Sequence, residues 1–174
     1  MNGLIHIYEG EGKGKTTAAV GLSIRCAGNG GKVIFTQFLK DNKSSELNIL
    51  KTIIPIEVVS GGEFFGFYSK MSEETKVRAK EVYSNLLETV MNKASNGDYQ
   101  MLVLDEIIAA YNFNLIDQSI LLTFLKNKPS NLEVVMTGRN PSEELLELAD
   151  YISRIDKIKH PYDKGIKARV GIEK

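Results

Sequence analysis

A short glycine- and lysine-rich segment, residues 10–17, constrains the fold of this chain more than any other feature. It reads Gly-Glu-Gly-Lys-Gly-Lys-Thr-Thr, with an apolar run, Leu4–Tyr8, before it and a helix-like segment, Thr16–Ala27, after it. A strand, a glycine-rich loop and a helix in this order form a P-loop, in which backbone amides and the positive end of the helix converge on phosphate oxygens. The segment therefore predicts an α/β fold with a phosphate site.

The predicted loop is one residue shorter than the usual P-loop, which has four residues between its first glycine and Gly-Lys-Ser/Thr. Here three residues separate Gly10 from Gly14. We expect the Lys15 ammonium to reach phosphate oxygens and the Thr16 hydroxyl to contact a magnesium ion. A turn that binds nothing is the alternative. A shorter loop is expected to seat the phosphates differently, so that an atom other than the γ-phosphorus faces the nucleophile.

Length and composition indicate one compact domain spanning residues 1–174. Hydrophobic residues make up 43% of the chain and charged residues 25%, as in ordinary globular proteins. The 22 basic and 22 acidic side chains cancel, which gives no support to general binding of nucleic acid or of a membrane surface. The N-terminus lacks the pattern of a signal peptide, and no apolar run approaches the ~20 residues that span a bilayer. With one cysteine, Cys26, no intrachain disulfide can form, and we expect a cytoplasmic protein.

Strand and helix patterns alternate along the whole chain. A helical period with a candidate N-cap at Ser72 and a stop at Gly97 predicts one long helix. Alternation of this kind predicts a single-domain, P-loop NTPase-like (RecA-like) α/β fold, with a mostly parallel sheet covered by helices on both faces. The other predicted segments are a helix at Ser45–Ile54 and strands at Lys32–Phe38, Ile56–Val59, Met101–Leu104, Leu132–Thr137 and Tyr151–Ile155.

Charged residues follow two of these predicted strands. Ligands of parallel-sheet enzymes lie outside the carboxyl ends of the strands, so Asp105-Glu106 is expected to face the P-loop. We predict that Asp105 holds the metal ion, directly or through water, and that Glu106 orients a water or a ligand hydroxyl. An ordinary acidic strand end is the alternative. Arg139, in Thr137-Gly138-Arg139, is a candidate to pair with phosphate or carboxylate, and a solvated loop arginine is an equal alternative.

A dense aromatic run follows the third predicted strand. Phe64, Phe65, Phe67 and Tyr68 place four rings within five residues of a glycine-rich segment. Two interpretations stay open at this point: an exposed, ligand-covering surface, or a hydrophobic plug packed under the following helix.

The C-terminal segment, residues 159–173, is neither periodic nor low in complexity, and it combines turn formers, charges and aromatic rings. His160 has no cysteine or clustered histidine beside it, so a structural or substrate-lining role is favoured over metal ligation or acid catalysis. A mobile C-terminus is the alternative.

These segments together resemble the P-loop type of corrinoid adenosyltransferase, the cob(I)alamin or cob(I)yrinic acid a,c-diamide adenosyltransferases. The resemblance extends from about Gly3 to Glu173, and the shortened loop is itself a trait of that family. The shared motifs are residues 10–19, Gln37-Phe38-Leu39-Lys40, Leu102–Glu106, Thr137-Gly138-Arg139, Glu147–Asp150, His160, Tyr162-Asp163, Gly165-Ile166, Ala168-Arg169 and Gly171-Ile172-Glu173.

The resemblance implies transfer of the 5′-deoxyadenosyl group of ATP to a cobalt(I) corrinoid, with release of intact triphosphate, in adenosylcobalamin synthesis or salvage. Cobalt is the nucleophile, so none is required from the protein. Catalytic roles are implied for Lys13, Lys15, Glu106 and Arg139. The implied contacts are to ATP from Gly10, Glu11, Gly12, Lys13, Gly14, Lys15, Thr16 and Thr17, to Mg²⁺ or Mn²⁺ from Thr16 and Asp105, and to the corrinoid from Phe64, Phe65, Phe67, His160 and Arg169.

The resemblance also implies an electron donor such as a flavoprotein, which reduces the cobalt, and a homodimeric assembly. The chain departs from many members of the family in its aromatic run, because it contains no Trp, and this leaves open which phenylalanine lies under the corrin. Two other functions remain as alternatives: a P-loop nucleotide kinase or ATPase, and a non-catalytic module that binds ATP and corrinoid.

Overall fold

The computed structural model describes residues 2–173, and its centre is one six-stranded sheet. The strands are β1 (Ile5–Glu9), β2 (Val33–Gln37), β3 (Ile56–Val59), β4 (Met101–Asp105), β5 (Glu133–Thr137) and β6 (Tyr151–Arg154). Their order across the sheet is β3-β2-β4-β5-β1-β6, and every neighbouring pair is parallel. The predicted α/β architecture is confirmed.

Helices connect the strands, as the alternating pattern predicts. They are α1 (Lys15–Gly28), α2 (Glu46–Leu50), α3 (Glu73–Asn96), α4 (Ile107–Asn112), α5 (Gln118–Asn127) and α6 (Glu143–Leu148), with single 3-10 turns at Tyr68–Lys70 and Pro161–Lys164. The predicted ends of α3 are confirmed: the Ser72 hydroxyl accepts a hydrogen bond from the backbone amide of Thr75 at 3.1 Å, and Gly97 follows the last turn. None of the helices within residues 2–173 has the length and apolarity needed to cross a bilayer.

The helix predicted at Ser45–Ile54 is shorter in the structure, where α2 ends at Leu50. The residues that follow form turns, and Ile54 is 98% exposed. Pro55 disfavours helical geometry in the residue before it, and the branched side chains of Thr52, Ile53 and Ile54 lower the helix propensity of the segment. The apolar residues therefore continue beyond Leu50, although the helix ends there.

Side chains at alternate positions of the strands supply two apolar layers, one on each face of the sheet. In β4, Leu102 and Leu104 pack in the layer that α3, α4, α5 and α6 complete. Met101 and Val103 pack in the opposite layer, which α1 and α2 complete. This period of two is the geometry of a strand, and helices on both faces explain why β4 is apolar at nearly every position.

The carboxyl ends of the strands lie at the edge of the sheet where the sequence predicts a ligand site. β1 leads into the P-loop, and β2, β4 and β5 end at Gln37, Asp105 and Thr137. Since all strands run in the same direction, these ends meet at one edge of the sheet, where the amino terminus of α1 also lies.

Candidate functional site

The P-loop of this chain has a tightly constrained backbone. Gly10 and Gly14 have φ values of 108° and 124°, which side chains rarely tolerate. The amide of Gly12 donates to the carbonyl of Ile155 at 2.7 Å, and a Cβ added at Gly10 or Gly12 would lie 2.5 or 2.7 Å from that oxygen. These two glycines are therefore required by the approach of the chain after β6, in addition to any approach of phosphate.

Lys15 is folded into the loop that precedes it. Its ammonium donates to the carbonyl oxygens of Gly10 at 2.6 Å and of Gly12 at 2.9 Å, and the residue is only 7% exposed. Burial lowers the pKa of this ammonium, and the negative charge of Glu106 opposes that shift. The lysine is thus held at the centre of the loop, in reach of any phosphate that the loop amides would bind.

The fully buried Asp105 carboxylate connects the other polar side chains of the site. Its Oδ1 accepts hydrogen bonds from the hydroxyls of Thr16 at 2.9 Å and Thr137 at 2.7 Å. Its Oδ2 accepts from Gln37 Nε2 at 3.0 Å and from Lys40 Nζ at 2.7 Å. Four donors, one of them charged, compensate the desolvation of the carboxylate.

Glu106 begins α4 in the left-handed conformation, with φ at 60°. Its amide donates to the Thr137 hydroxyl at 2.8 Å, which fixes the turn beside Asp105. Burial raises the pKa of the Glu106 carboxyl, and the neighbouring charge of Asp105 raises it further; Lys40, Lys15 and Arg139 act in the opposite direction. A carboxyl group with a raised pKa in a cleft is a candidate to exchange a proton or orient a hydroxyl.

Arg139 lies at the exit of β5, next to the P-loop. Its guanidinium forms an ion pair with Glu11. The preceding residue, Gly138, has a φ of 151°, and a Cβ there would lie 2.6 Å from Cβ of Ile108, so glycine lets the chain turn closely over α4. The structure therefore places Arg139 with Lys15 and Glu106 in one cavity.

Two adjoining cavities share the P-loop as a common wall. The first has a volume of about 320 Å³ and is lined by Lys15, Glu106 and Arg139 together with the C-terminal segment. The second has a volume of about 790 Å³ and includes the apolar side chains of Leu39 and Phe64. Residues common to both are Lys13, Thr16, Thr17, Lys40, Ile172 and Glu173.

The structure separates the three phenylalanines of the aromatic run. Phe64 is 44% exposed and lines the second cavity. Phe65 points inward, where its ring meets Tyr83 edge-on at 5.7 Å. Phe67 is 74% exposed and contacts Lys70, whose ammonium lies 6.0 Å from the ring centre. Phe65 therefore packs inward, as the plug interpretation expects, whereas Phe64 and Phe67 are exposed; a ligand-covering role for these two rings stays a prediction.

The C-terminal segment forms part of the wall of the first cavity. His160 lines this cavity, and its Nδ1 accepts a hydrogen bond from the amide of Tyr162 at 3.1 Å. Arg169 lies outside the first cavity and pairs with Glu173 at 2.8 Å. That pairing lowers the pKa of Glu173 to about 2.

Three residues of the site had no role assigned from the sequence: Gln37, Lys40 and Thr137. Each touches Asp105. Their position in the strands could have identified two of them. Gln37 and Thr137 are the last residues of β2 and β5, and ligands of parallel sheets lie at the carboxyl ends of the strands. Lys40 follows two residues beyond such an end, in a motif already shared with the resembled family.

The donor set suits a hard divalent cation that also binds phosphate. The Lys40 ammonium lies between two oxygens of this set as a positive charge, 3.2 Å from Thr16 Oγ1 and 2.7 Å from Asp105 Oδ2. Within residues 2–173, no group of three or more His, Cys, Asp or Glu side chains could hold a metal ion alone. Mg²⁺ commonly binds through one or two carboxylates, with phosphates and waters as the remaining ligands, and the residues present fit that mode.

Fold and site together define this protein as a P-loop nucleotide-binding protein of the RecA-like α/β type. Among solved structures, the flagellar accessory protein FlaH from Methanocaldococcus jannaschii aligns with a TM-score of 0.57 and 16% identity, over 88% of this chain and 71% of that protein. EssC (ATPases 2 and 3) from Geobacillus thermodenitrificans aligns with a TM-score of 0.51 and 14% identity, over 98% and 36%. At such identities these similarities show the fold alone.

Sequence comparison then identifies the family. The family model described as ATP:corrinoid adenosyltransferase BtuR/CobO/CobP matches residues 1–173, and the chain belongs to that family. Corrinoid adenosyltransferases from Sinorhizobium sp and Escherichia coli (strain K12) are 35% and 31% identical to it; 98% of this chain aligns with 80% and 85% of those proteins. The chain is therefore an enzyme that transfers an adenosyl group from ATP to a corrinoid in cobalamin synthesis, and a kinase or ATPase is not favoured.

Proposed function

We propose that this chain joins C5′ of ATP to the cobalt of a reduced corrinoid along the boundary between its two cavities. The observation that carries the proposal is the shared wall: the P-loop lines both a cationic cavity and a larger cavity that contains Phe64. The electron pair of cobalt(I) forms the Co–C5′ bond, the C5′–O bond breaks, and triphosphate leaves with the bonding pair. Cobalt thereby changes formally from +1 to +3.

The leaving triphosphate needs positive charge at the moment of bond cleavage. We assign this role to Lys13, Lys15 and Arg139, with the amides of Gly10–Thr17 as additional donors. Lys15 and Arg139 line the cationic cavity together, and Lys13 lines both cavities. Fixed charges of this kind stabilise a developing anion without reorganisation during the reaction. Glu106, whose raised pKa follows from its burial, would orient a water or a ribose hydroxyl.

A divalent ion, Mg²⁺ or Mn²⁺, would be held by Thr16 and Asp105. When bound, it would supply Lewis-acid neutralisation of the phosphate oxygens. Two contacts support this proposal. Thr16 Oγ1 lies 2.9 Å from Asp105 Oδ1, and Asp105 Oδ2 already binds a cationic group, the Lys40 ammonium. The protein's own contribution is to orient the Asp105 carboxylate, because Thr137 donates a hydrogen bond to its Oδ1 and Gln37 donates one to its Oδ2.

The corrinoid would lie against Phe64 in the larger cavity. Of the two other residues expected at the corrinoid, His160 lines the first cavity and Arg169 pairs with Glu173, so neither lies beside Phe64. An aromatic ring against the lower face of the corrin would exclude water and a lower ligand from cobalt, which makes reduction to cobalt(I) easier. The electron would come from a separate donor, such as a flavoprotein. Phe67 and Phe65 are less suited to this contact, because Phe67 does not line the cavity and Phe65 packs inward.

The test of this proposal is a product analysis. Purified protein is mixed with ATP, a divalent ion and chemically reduced cob(I)alamin without oxygen, and the visible spectrum and phosphate products are followed. The expected result is a light-sensitive adenosylcobalamin spectrum with one equivalent of triphosphate. Release of ADP and phosphate with an unaltered corrinoid would contradict attack at C5′, and nucleotide and corrinoid binding without either product would indicate a non-catalytic module.

A further inference from the structure

The Lys40 ammonium occupies the position between Thr16 and Asp105 where the divalent ion would bind. It lies 2.7 Å from Asp105 Oδ2 and 3.2 Å from Thr16 Oγ1, and Thr16 in turn donates to Oδ1 of the same carboxylate. A magnesium ion would need those same oxygens at about 2.0–2.1 Å. The ammonium and the ion therefore compete for one place, by volume and by charge.

The backbone before Lys40 is built to hold it there. The amide of Phe38 donates to the carbonyl of Asp105 at 2.9 Å, which extends the pairing of β2 and β4 by one bond beyond the strands. Leu39 then adopts a left-handed conformation with φ at 57°, a geometry that leucine rarely adopts. This turn brings Lys40 back over Asp105, while Phe38 is fully buried and Leu39 packs against the core.

We propose that Lys40 is an internal cation that holds the metal site in the nucleotide-free enzyme and yields its place when nucleotide and ion arrive. The inference rests on the metal site proposed above and adds a residue that governs its occupation. Lys40 lines both cavities, so its ammonium can exchange Asp105 for phosphate oxygens without leaving the site. The ion therefore binds weakly to the free protein and tightly together with nucleotide.

The same exchange explains the role of Gln37. Its Nε2 donates to Asp105 at 3.0 Å and to Glu46 at 3.0 Å, while its buried Oε1 has no hydrogen-bond partner among the described residues. Asp105 Oδ2 thus keeps one neutral donor when Lys40 departs. The carboxylate stays oriented during the exchange of one cation for the other.

The experiment measures Mn²⁺ binding to the nucleotide-free protein, by the electron paramagnetic resonance signal of unbound Mn²⁺. Lys40→Met is compared with the wild type, with Lys40→Arg, and with Lys43→Met, which removes the same charge from an exposed position three residues away. We expect Mn²⁺ to bind Lys40→Met at least about tenfold more tightly, because the competing charge is gone. Lys40→Arg and Lys43→Met are expected to bind Mn²⁺ as the wild type does.

Two further variants separate the possible failures. Lys40→Gln keeps a neutral donor for Asp105 and replaces Lys40→Met if that variant does not fold. Adding Asp105→Asn to Lys40→Met should abolish the tight binding; if tight binding persists, the ion binds elsewhere and the proposed metal site falls together with this inference. Equal Mn²⁺ affinity of Lys40→Met and the wild type would overturn the inference alone, since the loss of Mn²⁺–ATP binding in Asp105→Asn would still support the metal site.

Discussion

At the scale of single residues, Gly12 of the P-loop is required by packing, in addition to its proposed role at the phosphates. A Cβ at Gly12 would lie 2.7 Å from two backbone oxygens, those of Ile155 and Asp156, which cannot move without shifting the chain after β6. We expect Gly12→Ala to lower the free energy of unfolding by about 1–3 kcal/mol. Gly21→Ala is the matched control: its Cβ would meet nothing within 4 Å, and alanine inside α1 should add about 0.5–1 kcal/mol. Urea unfolding measures both, and equal stabilities would contradict this account.

Lys15 provides the second test at this scale. Its ammonium bonds only to carbonyls of its own loop in the described structure, so it is available to phosphate without breaking a tertiary contact. We expect Lys15→Met to lower the single-turnover rate of adenosyl transfer by about 10²–10³-fold, as does loss of one preorganised donor to a developing anion. Lys32→Met is the control, because the Lys32 ammonium takes part in an exposed ion pair with Asp98 at 3.7 Å. A rate close to that of the wild type in Lys15→Met would show that Lys15 does not stabilise the leaving triphosphate.

At the scale of elements, the aromatic segment 64–68 is anchored at two points. Phe65 meets Tyr83 of α3, and Tyr68 stacks on Phe113 with ring centres 4.3 Å apart and planes inclined by 2°. These anchors hold Phe64 toward the larger cavity and leave Phe67 outside it. The segment is therefore positioned by α3 and by the end of α4, the helix that begins directly after Glu106.

This geometry predicts different outcomes for two similar substitutions. Phe64→Ala should raise the KM for corrinoid by about tenfold or more, since burying a phenylalanine contributes about 1.5–3 kcal/mol. Phe67→Ala should change it little, because that ring lies outside the cavity. Initial rates over a range of corrinoid concentration, at saturating ATP, measure the difference. The reverse ranking would place the corrin on the Phe67 side of the segment.

A polar contact between β3 and α3 gives a pH-dependent prediction. Hydrogen bonds from Tyr99 and Lys93 lower the pKa of Glu57, and the contact raises the pKa of Tyr99 to about 12. Because the folded pKa of Glu57 lies below the ordinary value of 4.5, the carboxylate stabilises the fold above that pH, and its contribution is lost as the pH falls through the folded pKa.

We therefore expect Glu57→Gln to lower the free energy of unfolding near neutral pH, by less than about 1 kcal/mol since the side chain is 42% exposed. The deficit relative to wild type should shrink as the pH is lowered below about 4.5. Urea unfolding over a series of pH values measures this deficit. Glu88→Gln, which replaces an exposed glutamate of α3, is the control. A deficit that does not change with pH would assign the effect to packing.

At the scale of the whole molecule, the strand β6 and the C-terminal segment form an unusually exposed surface. Every residue of β6 is exposed, and the apolar side chains of Ile152, Ile158, Tyr162 and Val170 are at least half exposed. Several large apolar side chains exposed on neighbouring segments are a feature of interfaces, and the resemblance to the family implies a homodimer. We predict a homodimer at micromolar concentration, with a thermal midpoint that rises with protein concentration. Sedimentation velocity measures the assembly, and a monomer across the whole concentration range would contradict the prediction.

The local features of this protein were determined by its sequence. The P-loop between β1 and α1, the cap of α3 at Ser72 and the carboxylate pair after β4 depend on neighbouring residues, and the structure has them where the sequence predicts them. The parallel sheet also followed, because apolar strands that alternate with helices have few other ways to bury both faces. The helix predicted at residues 45–54 was too long. Its apolar residues continue to Ile54, but the residues before Pro55 form turns instead of helix.

The tertiary structure decided the contacts that join distant segments. Asp105 contacts Thr16, 89 residues away in sequence, and Lys40, 65 residues away. Gly12 contacts Ile155. The periodicity of a single helix or strand cannot predict such contacts. They arise because every strand of a parallel sheet ends at the same edge, so residues far apart along the chain become ligands of one site. The sequence alone indicated what each side chain can do chemically, whereas the position of the Lys40 ammonium between Thr16 and Asp105, the two proposed metal ligands, depends on the folded chain.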